Sequence, residues 1–380
     1  MTPSFHPAES FGGPIRTVYR LCVELSRLGT VSVRVLTTDT NGKHTRERLH
    51  LPGRTARWNE NLTVVYARKS LGADFSFDLL ASLPAEMRRA DVVHLTGVYS
   101  SPTFPVLLCA GLERKPVLWS PRGSLMDWGA ARRRRLKAAW RRVARLVAGK
   151  HTAFHVTSAS EAEHAVRAMP GIPVLLVPNG VDVPLLPERI ADADGVFRIV
   201  FMGRLHPVKG LENLIRAVAL TTGKTRLDIY GGGTQGYTAS LRELTEALGI
   251  SARVVFHGPI EETRKTEAFA RADVFVLPSH SENFGLAAAE ALAHAVPVIA
   301  GKGTPWEGLE THGCGLWVEN DPLSLAHALS AMAGADLRAM GEAGRKWVTA
   351  EFSWPCIAER ICRVYDDLIE RSRWESREKR

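Results

Sequence analysis

The chain of 380 residues is poor in several things, and each scarcity narrows what it can be. It has five cysteines (Cys22, Cys109, Cys314, Cys356 and Cys362), scattered and odd in number, with no C-x-x-C pair. That excludes a disulfide framework and a cysteine-held zinc, and it predicts a reducing, cytoplasmic compartment. No apolar run reaches the ~18 residues that span a bilayer. The opening "MTPSFHPAESFGG" has neither a basic start nor an apolar core, so it does not read as a signal peptide. Acids are in deficit, with 40 Asp and Glu against 49 Lys and Arg, a net charge of +9. Such an excess points to an anionic partner: nucleic acid, a membrane surface or a phosphate-bearing substrate. No aromatic stacking platform or nucleic-acid module accompanies the charge, which sets nucleic acid aside.

What is present is an ordinary soluble composition, 45% hydrophobic and 23% charged, in a chain long enough for two cores. Short apolar segments alternate with helical ones. "VSVRVLTT", "LTVVYA", "DVVHLTG", "KPVLWSPRG", "AFHVTS" and "IPVLLVPNG" read as buried strands, with helices such as "TVYRLCVELSRLG" and "ASEAEHAVRAM" between them. The second half repeats the scheme with "FRIVFMGRL", "RLDIYGGG", "ARVVFHGPI", "DVFVLPS" and "VPVIA". Continuous apolar strands alternating with helices predict parallel sheets covered on both faces, so the fold class is α/β with two doubly wound, Rossmann-like domains. The boundaries expected are 1–183 for the first domain, a proline- and acid-rich linker at 184–197, a second domain at 198–355, and a helix with a frayed tail at 356–380. A doubly wound domain normally opens on a strand, yet Met1 to Phe5 supply only a stub.

Three segments of the second half carry chemistry. "RLDIYGGGTQG" holds G-x-G-x-x-G at Gly231, Gly233 and Gly236, with Gly232 between them. A dinucleotide site wants an acid ~20 residues on, at the end of the next strand. That strand ends "VVFHGPI", so an NAD-dependent dehydrogenase has little support. The glycines are either a tight turn or a place where backbone approaches a base or phosphate. In "FMGRLHPVKGLENLI", Arg204 and Lys209 leave a strand end just before a helix that begins near Leu211. Two cations and a helix N-terminus suit a diphosphate. In "LPSHSENFGLAAAEALAHAVPVIA", Glu282 falls in the loop at a strand's carboxyl edge, Gly285 opens a helix, and Glu290 lies inside it among small residues. A carboxylate so enclosed needs partners, either the hydroxyls of a ribose or a neighbouring cation.

Glu282 and Glu290 with "NFGLAAA" between them resemble the E-x7-E signature of GT-B fold retaining glycosyltransferases of family 4, the glycosyl transferases group 1. "GGPIRTVYRLCVELSRLG", "PNGVD", "GRLHPVKG", "YGGG", "FHGPI", "ADVFVLPS" and "VPVIA" follow in the family's order along the whole chain. The resemblance implies a GT-B architecture, two Rossmann-like domains facing across a cleft with a C-terminal helix, near Ile357 to Ile369, crossing back to the N-domain. It implies retaining transfer of a sugar from a UDP- or GDP-sugar to a glycan or lipid-linked acceptor in bacterial surface polysaccharide synthesis. No metal and no cofactor other than the donor is implied. Arg204 and Lys209 would then hold the diphosphate and steady the leaving group, and Glu282 would orient the sugar without acting as nucleophile. The amides of Asn283, Phe284, Gly285 and Leu286 would read its hydroxyls, and Glu290 the ribose. Gly12 and Gly13 would bring the N-terminal loop against the phosphates, and Gly231 and Gly232 would face the nucleotide.

On the acceptor side, many relatives carry a His-Asp pair where this chain has Arg122-Gly123 in "SPRGSLMDWGA". Arg122 is expected to face the cleft, with His94, Thr96 and Tyr99 as further candidates. "ARRRRLKAAWRRVARLVAGK" (131–150) has nine cations and no acid, with Leu136, Trp140, Val143 and Val147 on one helical stripe. It is either a core-packed helix with a solvated basic face or a helix resting on an anionic membrane, which would place the protein at the inner face of a membrane. "TPWEGLETHGCGLWVEND" (304–321) is expected to wall the donor pocket. Two further readings stay open. A sugar-nucleotide 2-epimerase of the same fold would need acids and histidines around the sugar ring. A basic, membrane-peripheral binding protein would have kept the fold and lost catalysis.

Overall fold

The computed structural model of the chain describes residues 1–8, 13–41, 47–72, 74–126, 134–186 and 195–377. Gly12, the start of the basic 131–150 segment and residues 187–194 of the expected linker lie outside the described residues. The chain forms two compact units, Met1–Gly180 with Trp354–Arg380, and Val181–Ser353.

The first unit holds β1 (Val33–Thr38), β2 (Thr55–Asn59), β3 (Leu62–Ala67), β4 (Val93–Thr96), β5 (Val117–Ser120), β6 (Thr152–Val156) and β7 (Val174–Leu176). They form two sheets, β1-β3-β2 and β4-β5-β6-β7, parallel except where β2 runs antiparallel to β3. Between the sheets lies the stub. The Met1 amine donates to the His94 carbonyl at 2.7 Å, the Thr96 amide to the Met1 carbonyl at 2.9 Å, and the Thr2 amide to the Leu36 carbonyl at 3.1 Å. β5 and β6 are buried along their whole length, as parallel strands covered on both faces must be. β2 was not legible in sequence, because "TARWN" is nearly all exposed and shows no apolar alternation.

The C-terminal helix Trp354–Arg377 belongs to this first unit, as the resemblance implied. Trp354, Ile357, Ala358, Ile361, Tyr365 and Leu368 recur at intervals of three and four, a helical stripe. They bury against Leu21 and Leu25 of helix Gly13–Arg27 and against Leu118, Ala153 and Val177. Trp354 lies on Gly180, where an added Cβ would come within 2.2 Å of the indole, so "PNG" needs its glycine.

The second unit has one all-parallel sheet of β8 (Phe197–Met202), β9 (Thr225–Tyr230), β10 (Val254–Gly258), β11 (Val274–Leu277), β12 (Val298–Gly301) and β13 (Gly315–Val318). The spatial order is β10-β9-β8-β11-β12-β13, which counted from the unit's first strand is 3-2-1-4-5-6, the doubly wound Rossmann order. Alternate residues of β8 serve opposite cores. Ile199 and Phe201 join Leu211, Leu214, Leu241 and Leu329, while Val200 and Met202 join Phe269, Ala288, Ala289 and Trp306. The strand order reverses between β8 and β11, and the crevice outside the carboxyl ends at such a point is where open α/β sheets bind ligands.

Candidate functional site

The two loops that leave this switch point are drawn together by their backbones. After β8 the chain makes a short 3-10 turn, Pro207–Lys209, whose start is capped by His206, with Nδ1 accepting the Val208 amide at 3.2 Å. Gly210 follows at φ +63°, and an added Cβ there would lie 2.0 Å from the Pro278 carbonyl, so only glycine permits the approach. The His280 amide, after β11, donates to the Val208 carbonyl at 2.8 Å. Lys209 and Glu282, one from each loop, form an ion pair, Nζ to Oε1, with side chains 19% and 12% exposed. Ser279 Oγ donates to the same Oε1 at 2.8 Å, and the Glu282 amide donates to Gly303 O at 3.1 Å. Arg204 is exposed on the same loop as Lys209. The pKa of His206 between them is lowered, first by partial burial and then by the charges of Arg204 and Lys209. The loop is therefore a concentrated positive field beside an oriented carboxylate.

Helix Leu286–Ala293 starts immediately beyond, with Gly285 at its N-cap at φ +81°. The first amides of a helix have no intrahelical partner and point toward its N-terminal end, a ready donor set for oxygen-rich groups. Phe284 differs from the neighbours named with it. Its side chain is 6% exposed and packs in the core against Trp306 and Phe352, so only its backbone borders the site. Glu290 is 7% exposed, and both its oxygens are taken by Lys265 Nζ, at 3.0 and 2.8 Å. The cation partner weighed in the sequence is thus present, carried on helix Glu262–Ala270.

The glycines of "YGGG" have a packing reason. Gly231 sits at φ +148°, and a Cβ there would be 1.8 Å from Gly203 O. The Leu205 amide donates to Gly232 O at 2.8 Å. These contacts hold the Arg204 loop against the end of β9. Gly236, by contrast, lies in helix Gln235–Ala247 with open space around it.

In the first unit, His94 belongs to a buried chain of polar groups. His155 Nε2 reaches the Val177 carbonyl at 2.9 Å, which can only accept. His155 Nδ1 therefore accepts from Ser120 Oγ at 2.8 Å, Ser120 accepts from His94 Nε2 at 2.7 Å, and His94 Nδ1 accepts from the Tyr365 hydroxyl at 2.7 Å. Burial first, and then neighbouring positive charge, lowers both histidines, His155 to about 3. Both nitrogens of His94 are thus committed to tying the C-terminal helix to β4, β5 and β6.

Thr96 is half-buried and meets Met1 through its backbone. Tyr99 lies under Lys137 of the basic helix, 5.0 Å from ammonium to ring centre. Gly13 opens helix Gly13–Arg27 with free space at its Cβ position. Arg122 is the strained member. It sits at φ +54°, bonds Asn179 Oδ1 through Nη1, and buries an Nε that has no hydrogen-bond partner. Its pKa is lowered by burial, against the pull of the fully buried Glu161, whose carboxylate accepts the Gly123 and Thr157 amides at 2.5 and 2.8 Å. Sequence reasoning missed Ser279, Lys265, His155, Tyr365 and Glu161, because each acquires its partner only through tertiary contact.

The basic helix Arg134–Val147 turns differently from the stripe expected. Trp140 packs on Phe104 and donates to Val98 O at 2.8 Å, and Ala144 is buried beside it. Leu136 and Val143, assigned to the same stripe, are 62% and 48% exposed, together with Leu146 at 81%. The small Ala144, and not Val143, lets the helix approach its neighbour.

Residues 12–180 match a family model described as glycosyl transferase 4-like domain, and residues 185–347 match glycosyl transferases group 1. The D-inositol 3-phosphate glycosyltransferase of Xylanimonas cellulosilytica is 35% identical over 181 residues, 46% of this chain and 43% of that protein. The chain thus matches less than half the length of that curated relative. Sucrose-phosphate synthase from Thermosynechococcus elongatus superposes with a TM-score of 0.69 at 22% identity, covering 94% of each chain. Anabaena HepE in complex with UDP-glucose superposes at 0.67 and 17% identity, covering 92% of this chain and 95% of its own. These likenesses show the fold, and the two family matches in series cover both units. The chain belongs to the group 1 glycosyl transferases of GT-B fold.

Proposed function

We propose that the protein transfers a sugar from a nucleoside diphosphate sugar, UDP- or GDP-linked, to a glycan or lipid-linked acceptor, with retention at the anomeric carbon and without a metal. Arg204 and Lys209 hold the diphosphate and stabilise the charge that grows on it as the glycosidic bond breaks. Glu282 and the amides of 283–286 orient the sugar hydroxyls. Glu290 accepts from the ribose hydroxyls, sharing its carboxylate with Lys265. The acceptor oxygen attacks from the face the diphosphate leaves, and its proton passes to the departing phosphate oxygen. Arg122 stands at the carboxyl edge of the first unit's sheet, where an acceptor is engaged.

One observation carries this reading: Lys209 and Glu282 pair at the switch point of the second unit's sheet, beside a helix N-terminus. The UDP-glucose held by the Anabaena neighbour supports a uridine donor. A thermal-stability screen against UDP- and GDP-sugars tests it. A ligand at a hundred times its dissociation constant adds about 2.7 kcal/mol. No stabilisation by any member of the panel would overturn the donor assignment. Incubation with the stabilising sugar nucleotide alone separates transferase from epimerase, since only an epimerase turns over without an acceptor.

The outer face of helix Arg134–Val147 supports a place at an anionic membrane. Leu136, Ala139, Val143 and Leu146 form an exposed apolar stripe beside the exposed Arg135, Arg142 and Arg145. Apolar residues flanked by arginines suit insertion at a headgroup boundary. Among the described residues no helix is long and apolar enough to cross a membrane. This reading puts the enzyme on the cytoplasmic face, working on surface polysaccharide or lipid-linked oligosaccharide.

A further inference from the structure

Trp306 lies in the loop after β12, 1% exposed, inside an aromatic group with Phe284, Trp347 and Phe352. Its indole Nε1–H donates to the Phe284 carbonyl at 2.7 Å. In a trans peptide the C=O and the following N–H point in opposite directions. Binding the Phe284 carbonyl on the core side therefore turns the Gly285 amide away from Trp306. The same ring dictates the residue at 285, since a Cβ there would come within 2.8 Å of Nε1 and 2.9 Å of Leu277 Cδ2. The Trp306 loop also meets the site at a second point, because Gly303 O accepts the Glu282 amide. A third bond steadies the loop, Trp317 Nε1 donating to Thr304 O at 3.1 Å.

We infer that Trp306 is a positioning residue for donor-sugar recognition: its indole N–H sets the Phe284–Gly285 peptide plane, so that the Gly285 amide joins the donors at the start of helix Leu286–Ala293. Trp306 touches no substrate and acts through the backbone it holds. The inference rests on the reading that the donor sugar is bound at Glu282.

A neighbouring tryptophan supplies the control. Trp347 meets Trp306 edge-on in the same aromatic group, but its Nε1 is buried without a hydrogen-bond partner. Trp306→Phe and Trp347→Phe therefore remove similar ring volume, and only the first removes a bond to the site. In Trp306→His, imidazole Nε2 occupies the ring position of indole Nε1, two bonds from Cγ, and restores a donor. Titration calorimetry of the wild type and the three variants with UDP, GDP and their glucose, galactose, mannose and N-acetylglucosamine conjugates reads the effect. Trp306→Phe should keep its affinity for the bare nucleoside diphosphate within about twofold while losing about tenfold for the sugar conjugate, the size expected for one hydrogen bond whose loss strands a buried carbonyl. Trp347→Phe should lose neither, and Trp306→His should recover most of the loss. Equal losses in Trp306→Phe and Trp347→Phe, or a Trp306→Phe that keeps the sugar-dependent affinity, would overturn the inference. Should Trp306→Phe fail to fold, Trp306→Met, which likewise carries no donor, is compared with Trp306→His, and equal sugar-dependent affinities in these two would overturn the inference. If no sugar conjugate binds the wild type more tightly than its nucleotide, the donor-sugar reading itself has failed, and Trp306 falls with it.

Discussion

Lys209 and Glu282 stand 73 residues apart in the chain and meet as an ion pair at the carboxyl ends of β8 and β11. These strands are neighbours only because the sheet reverses its order there. The meeting concentrates a cation, a carboxylate that accepts from Ser279, and the N-terminus of helix Leu286–Ala293.

Lys209→Met and Glu282→Gln should each lower kcat/KM for sugar transfer about 100-fold or more, the usual loss when a charge-stabilising group is removed. Because the two side chains touch, the double variant should lose less than the product of the single losses. Steady-state kinetics on the four proteins gives the coupling. Strictly multiplicative losses would mean that the pair does not act as a unit.

Lys265→Met removes the ammonium that pairs with the enclosed Glu290 carboxylate, with side-chain exposures of 17% and 9% in the native pair. The expected cost is about 3 kcal/mol, and adding Glu290→Gln should recover most of it. Urea denaturation of the single and double variants would show this. A Lys265→Met protein as stable as the wild type would remove the ion pair from the account of Glu290.

Tyr365→Phe deletes the donor to His94 Nδ1 and should cost about 1–3 kcal/mol, since a buried acceptor is left unpaired. The same network sets a pH dependence. Burial holds His155 at about 3 and His94 well below its ordinary 6.5. The unfolded chain therefore takes up protons below pH 6.5 that the folded chain refuses. These groups stabilise fully above that pH, and the benefit falls away as pH drops toward 3. The slope is up to about 1.4 kcal/mol per pH unit for each histidine. Denaturation midpoints at pH 7.5 and about 5 should differ in the wild type and differ less in His155→Gln. Identical pH profiles for the two proteins would contradict the network.

Glycines of one motif should respond in opposite ways. Gly231→Ala forces a Cβ onto Gly203 O at a φ of +148° and should be severely destabilising, with loss of nucleotide binding. Gly236→Ala meets nothing within 4 Å and lies in a helix, so it should stabilise by about 0.5–1 kcal/mol. Thermal melts of the two variants compare them directly. Loss of nucleotide binding in Gly236→Ala would revive the dinucleotide fingerprint.

Val143→Asp with Leu146→Asp changes only exposed positions of the basic helix. Sedimentation with vesicles containing phosphatidylglycerol should capture the wild type at low salt, release it at high salt, and fail to capture the double variant. Activity on a soluble donor should be unchanged. Equal sedimentation of wild type and variant would show that the stripe does not face lipid.

Much of the architecture was legible because it is written in local periodicity. β11 is a continuous apolar run and β5, β6 and β8 are mostly apolar, and the helix Trp354–Arg377 carries an apolar stripe at helical spacing. The E-x7-E spacing and Gly285, which opens helix Leu286–Ala293 at a positive φ, likewise state their local geometry. The basic helix was read correctly as a helix and incorrectly in its facing. Leu136, Trp140, Val143 and Val147 make a stripe on paper, while in the fold Trp140 and Val147 pack beside the buried Ala144 and Leu136 and Val143 stay exposed. Hydrophobicity alone cannot tell a core seam from an outer apolar stripe that the fold leaves exposed.

Residue order by itself thus determined two α/β units, the strand ends that carry Arg204, Lys209 and Glu282, the helix that carries Glu290, and the helix that returns to the first unit. Only tertiary structure decided that Glu290 pairs with Lys265, that His94 spends both nitrogens on Ser120 and Tyr365, and that Trp306 holds the Phe284 carbonyl. The physical reason is the range of the interactions. Backbone propensity and apolar period act over a few residues, whereas a buried polar atom finds its partner anywhere the packed core brings one within hydrogen-bond reach.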